Sequence, residues 1–93
     1  MPRFFAESGK QIGTDFPVTD RMIIGRKKTC DIVITDGKSS REHTMITKEG
    51  GSYYVKDLNS SNGTYLNDVR IDKSPLVFGD RIRIGDTTLV FLD

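Results

Sequence analysis

Three polar clusters carry the side chains best suited to gripping an anion: Gly25-Arg26, Ser39-Ser40-Arg41-Glu42-His43, and the run from Asp57 to Asn67. Arginine presents a planar fork of N–H donors that matches two oxygens of a phosphate at once, which a lysine point charge cannot reproduce. A serine hydroxyl adds a further donor, and an asparagine amide both donates and accepts, as a peptide backbone does. In the third cluster eight of eleven residues are polar or glycine, a longer and more donor-rich stretch than the roughly two to five residues that join two strands. Charge points the same way. Residues 21–41 hold six basic side chains (Arg21, Arg26, Lys27, Lys28, Lys38, Arg41) against Asp31 and Asp36, a local +4 in a chain whose formal net charge is +1. Such a patch on a near-neutral chain suits a small anionic target better than a long polyanion.

Other chemistries fit less well. Ser40, His43 and Asp57 supply the residue types of a hydrolytic triad, but no Gly-x-Ser-x-Gly elbow or oxyanion hole accompanies them. Asp57, Asn59 and Ser61 fall at the first, third and fifth positions of a calcium loop, yet Asn62 stands where glycine is needed and Asp68 where glutamate is. Tyr53 and Tyr54 alternate along one strand, so at most one could stack on a nucleobase. Asn59-Ser60-Ser61 and Asn62-Gly63-Thr64 match glycosylation sequons only as part of the polar run. Cys30 reads as a small apolar side chain without an activating partner.

The elements that must position these clusters read as strands. Gly13, Gly25, Gly37, Gly50-Gly51 and Gly63 recur at intervals of about twelve residues, a turn rhythm that suits an all-β sandwich or barrel. Between them lie Arg21–Ile24, Asp31–Thr35, His43–Thr47 and Ser52–Lys56, followed by Thr64–Leu66, Leu76–Phe78, Arg81–Ile84 and Thr87–Leu92. Arg81-Ile82-Arg83-Ile84 alternates with period two and should turn its isoleucines inward. Gly50-Gly51 reads as a hairpin turn. Pro17 marks an edge or strand end, and Pro75 is assigned to an Asp72–Pro75 connection. No stretch carries the helical spacing of apolar residues.

In order and spacing the clusters resemble the forkhead-associated domain, a phosphothreonine-peptide reader. The resemblance rests on Gly25-Arg26, Ser40-x-x-His43, Asp57-Leu58 leading to Ser61-Asn62-Gly63-Thr64, and Asn67, and it spans nearly the whole chain. It implies an eleven-stranded, mostly antiparallel β-sandwich with ligand loops at one end. It also implies phosphate contacts from Arg26, Ser40 and Arg41 and peptide-backbone contacts from Ser61 and Asn62. Gly25, His43 and Gly63 would then support the site, with His43 bonding inside the loops. Lys27, Lys28 and Lys38 are candidates for a solvated basic rim, and Lys38 also for contact with an acidic side chain further along the peptide. The partner implied is a threonine-phosphorylated protein or peptide. The alternative is a domain of the same fold that binds a protein, or its own parent chain, without phosphate.

Composition bounds the rest. Ninety-three residues with 35% hydrophobic content suit one domain with one modest core. The single cysteine allows no internal disulfide and no cysteine-rich zinc site, and no cofactor or metal is expected. No apolar run reaches the roughly 18 residues of a membrane helix, and the start lacks the apolar segment of a secretory signal. The expectation is a non-enzymatic, intracellular monomer that binds neither nucleic acid nor membrane. Residues 1–93 would form the N-terminal module of a longer protein.

Overall fold

The computed structural model describes residues 1–93 and contains eleven strands and no helix. They are β1 (Arg3–Ser8), β2 (Asp15–Pro17), β3 (Arg21–Gly25), β4 (Ile32–Val33), β5 (Thr44–Glu49) and β6 (Ser52–Asp57). The remainder are β7 (Thr64–Leu66), β8 (Val69–Ile71), β9 (Lys73–Leu76), β10 (Arg81–Ile84) and β11 (Thr87–Leu92). A six-stranded sheet in the order β2-β1-β11-β10-β7-β8 faces a five-stranded sheet in the order β4-β3-β5-β6-β9. Every pair is antiparallel except β3 with β4.

Alternation along the strands builds the core. Ile82 and Ile84 are buried while Arg81 and Arg83 are exposed, as the period-two pattern requires. Phe4, Ala6, Leu89 and Phe91 from the larger sheet meet Met22, Ile24, Ile46 and Val55 from the smaller. Phe91 anchors an aromatic cluster, with ring centres 5.3 Å from Phe4 and 5.2 Å from Tyr53. Both distances lie in the favourable range for tilted and edge contacts.

Three strand assignments change. Leu76–Phe78 is not a strand: β9 ends at Leu76, and Val77–Asp80 is a turn closed by the Val77 N–H donating to Asp80 Oδ2 at 2.9 Å. Pro75 lies inside β9 rather than in a connection. The strand tolerates it because β9 is an edge that pairs only with β6. Asp31–Thr35 shrinks to the two residues of β4, because the Asp31 carboxylate turns back to accept the Ile23 N–H at 2.8 Å. β8 has no counterpart in the sequence reading, and β1 gives a range to a strand expected only as the start of the chain.

Register sorts the loops into two ends. Tyr53 pairs with Leu76 and Lys56 with Lys73, so Gly50-Gly51 and Val77–Asp80 share one end. At the other end lie the β3–β4, β4–β5 and β6–β7 loops, which hold the three polar clusters apart from Asn67; that residue follows β7 and donates from Nδ2 to Asp80 Oδ1 at 3.0 Å, beside the Val77–Asp80 turn. No helix of the chain is long and apolar enough to cross a membrane.

Candidate functional site

The three clusters are joined by hydrogen bonds between loops. The Arg26 N–H donates to the Ser40 carbonyl at 3.0 Å, and the Lys27 N–H to the Arg41 carbonyl at 3.0 Å. These bonds lay the β3–β4 loop directly against the β4–β5 loop. Gly25 is required at the crossing, because a Cβ there would overlap the Arg41 carbonyl oxygen. The Cys30 thiol donates to that same oxygen at 3.2 Å, and burial pushes the thiol pKa up.

His43 is fully buried and ties two loops together. Its Nδ1 accepts the Ser40 N–H at 3.0 Å and its Nε2 lies 2.8 Å from the Gly63 carbonyl oxygen. Since Nδ1 accepts and a carbonyl can only accept, the proton sits on Nε2. The ring is thereby committed to holding the Ser40 and Gly63 backbones.

Ser40 Oγ accepts the Ser61 N–H at 3.2 Å. That contact uses the oxygen and leaves the hydroxyl hydrogen available to a ligand. Asn62 Nδ2 donates to the Lys38 carbonyl at 2.8 Å, which fixes the amide plane while leaving its oxygen and second N–H without a protein partner. Ser61 and Asn62 are both exposed, and Ser40 is half-buried.

Asp57 organises the β6–β7 loop from beneath. Its carboxylate accepts the Ser60 hydroxyl at 2.6 Å, the Thr64 hydroxyl at 2.7 Å and the Ser60 N–H at 3.1 Å. Partial burial pushes this carboxyl upward, but the three donors together outweigh it and its pKa lies below the ordinary aspartate range. Ser60 Oγ in turn accepts the buried Gly63 N–H at 2.9 Å. Gly63 has φ of 91°, and a Cβ on it would come within 2.7 Å of Arg70 Nε. The sequence alone assigns Asp57 no such organising role. Its spacing to Ser60 and Thr64 is the signal that could have exposed the role, since aspartate side chains commonly close local turns onto nearby donors.

Arg26 and Arg41 line one open groove of about 450 Å³, together with Lys27, Lys28 and Thr29. All four cations are exposed. The chain's ion pairs engage Met1, Arg3, Lys38, Lys73 and Arg81, leaving these four without a carboxylate. Lys38 differs: its ammonium is 3.2 Å from Asp86 Oδ1. Asp36 sits beneath that loop, accepting the Lys38 N–H at 2.9 Å and the Asp86 N–H at 2.6 Å. Those two backbone bonds draw its pKa down.

Residues 22–85 match the sequence profile of the FHA (forkhead-associated) domain. The chain belongs to this family. Glycogen accumulation regulator GarA of Mycolicibacterium smegmatis is 39% identical over 85 residues, covering 91% of this chain and 52% of that protein. The chain thus spans about half the length of that relative. Mycobacterium tuberculosis EmbR, solved in complex with a low-affinity phosphopeptide, superposes with a TM-score of 0.89 at 32% identity. That match covers 98% of this chain and 24% of EmbR. The FhaA FHA domain, solved with the intracellular domain of Rv3910, gives 0.87 at 27% identity over 98% of this chain and 99% of that one. The sandwich architecture is therefore that of FHA domains, and the relatives named are a regulator and two proteins solved with a bound phosphopeptide or protein domain.

Proposed function

We propose that this FHA domain binds a phosphothreonine-containing segment of a partner protein. Arg26, Ser40 and Arg41 hold the phosphate, and Ser61 and Asn62 hold the peptide main chain. The observation that carries this reading is a groove lined by two arginines without a carboxylate, its Arg26 backbone bonded to Ser40, whose hydroxyl hydrogen is free. A phosphothreonine brings a charge of about −1.5 to −2 and three strong acceptors, which these donors complement in charge and in hydrogen bonding. Its γ-methyl would add about 0.8 kcal/mol if buried in an apolar niche. Gly25, His43 and Gly63 act behind the site by holding its loops in register.

Affinity should be micromolar, about −8 kcal/mol. Arg26→Ala should weaken binding by roughly 2–3 kcal/mol, the scale for removing one partner of a charge-assisted pair. Calorimetric titration with a phosphothreonine peptide library, before and after phosphatase treatment, tests both statements. Equal binding of the dephosphorylated set would instead favour phosphate-independent protein interaction on the same fold.

A further inference from the structure

Lys38, the cation expected to meet an acidic residue of the peptide, spends its ammonium on Asp86. Unspent cations lie instead on the outer face of the six-stranded sheet. Tyr65 on β7 pairs in register with Arg83 on β10 and with Arg70 on β8, and residues directly opposite one another share a face. The three side chains therefore form a lateral row, Arg83–Tyr65–Arg70, with the Arg83 guanidinium carbon 4.2 Å from the centre of the tyrosine ring.

Other arginines on this face are neutralised. Arg81 makes a two-pronged contact with Glu7 at 2.8 and 3.2 Å, and Arg3 meets Asp15 at 2.7 Å. Arg70 and Arg83 have no such partner and are exposed. The near end of the row is fixed against the phosphate-site loops. Arg70 Nε lies 2.7 Å from where a Cβ on Gly63 would stand, so the guanidinium crosses the backbone one residue past Asn62. The far end opens into a groove that Arg83 lines together with Arg81, Glu7 and Asp68, where the two cations are matched by two carboxylates.

We propose that Arg70, Tyr65 and Arg83 form a second anion subsite, which reads an acidic side chain in the flank of the same phosphopeptide. This rests on the phosphothreonine reading above. An aromatic ring stacked by guanidinium holds its cation at little entropic cost while leaving the fork's edge free for oxygen acceptors. An extended peptide advances about 3.3 Å per residue, so the acid is placed in turn at each position within about five residues of the phosphothreonine to find the spacing that is read. The acid is a carboxylate or a second phosphate ester, which present the same oxygens to a guanidinium.

The test is a set of three phosphothreonine peptides whose flank at that spacing is alanine, glutamate or a second phosphoresidue. Each is titrated against the wild-type domain and against R70A/R83A, with melting curves recorded for both proteins. The wild type should bind at least one acidic-flanked peptide roughly three- to tenfold tighter than the alanine-flanked one, and in the double variant this ratio should fall to about one. The glutamate and phosphoresidue arms show which acid is read. If losing the stack on Tyr65 unsettles the fold, Arg70→Gln alone should still halve the preference or more. Equal affinity of the wild type for all three peptides, or an undiminished ratio in the variants, overturns the subsite while leaving the phosphothreonine reading intact. Failure of every phosphopeptide to bind overturns both.

Discussion

At one end of the sandwich Arg26, Lys27, Lys28 and Arg41 face solvent without a carboxylate, while at the other Val77 and Phe78 leave 63% and 52% of their surface uncovered. The two ends are also held differently. The Val77–Asp80 turn closes on its own backbone and on Asp80, and Phe78 lies flat against Phe91 with ring centres 4.9 Å apart. The charged end has no apolar packing of this kind between its loops. Its shape depends on Ser40, His43, Asp57, Ser60 and Asn62, each bonding across or within a loop. A surface that must stay cationic and wet cannot be ordered by burying hydrocarbon, so polar bonds do the ordering. The two ends should therefore fail under different insults.

His43→Ala is the strongest blow to the polar end. It strands the Ser40 N–H and Gly63 carbonyl and opens a cavity, at a combined cost of about 2–4 kcal/mol. A thermal melt should show Tm lower by at least about 10 °C, and an unchanged Tm would mean that this imidazole is dispensable.

Acid is the next probe. Because the folded-state pKa of Asp57 lies below that of a free carboxyl, its stabilising contribution is complete above the unfolded value of about 3.9. That contribution drains away as pH falls through the lower folded value. Asp57→Asn should therefore be less stable than wild type near neutrality, with a deficit that shrinks steadily below about pH 4. A deficit that stayed constant on acidification would contradict the role given to this carboxylate.

Phe78→Ser should register least. Losing a half-exposed stacked ring costs about 1 kcal/mol of stability, with phosphopeptide affinity unchanged within about twofold. A larger change in affinity would show that the two ends are coupled.

Much of this architecture could be read from residue order. Thr64–Leu66, Arg81–Ile84 and Thr87–Leu92 coincide with β7, β10 and β11, because β-branched and aromatic residues there run between clear turn residues. β8 escaped notice since its hairpin turn is Asn67-Asp68, with φ of 49° and 69°. Both residues adopt the conformation that an Asn-Gly or Asp-Gly pair would have advertised. β1 was obscured because its buried positions hold Phe4 and the small Ala6, while the intervening Phe5 is also apolar. That blurs the alternation. That the clusters meet at one end was implied by the family resemblance, but the Asp86 partner of Lys38 was not. That contact joins residues 48 positions apart, and only the folded register brings them together. The same limit hid the Arg70–Tyr65–Arg83 row, whose members come from three separate strands.

The bond from the Gly63 N–H to Ser60 Oγ has a chemical consequence for the lifetime of the protein. Asparagine followed by glycine ages readily, because the glycine nitrogen attacks the neighbouring side-chain amide, expels ammonia and leaves a cyclic imide that water opens to aspartate or isoaspartate. Here the attacking nitrogen is buried and its hydrogen engaged, while the Asn62 amide is tethered to Lys38. Native protein held in warm buffer should therefore keep Asn62 intact far longer than the same chain in urea, as peptide mass spectrometry would read. Comparable decay in both would show that these contacts confer no chemical shelter.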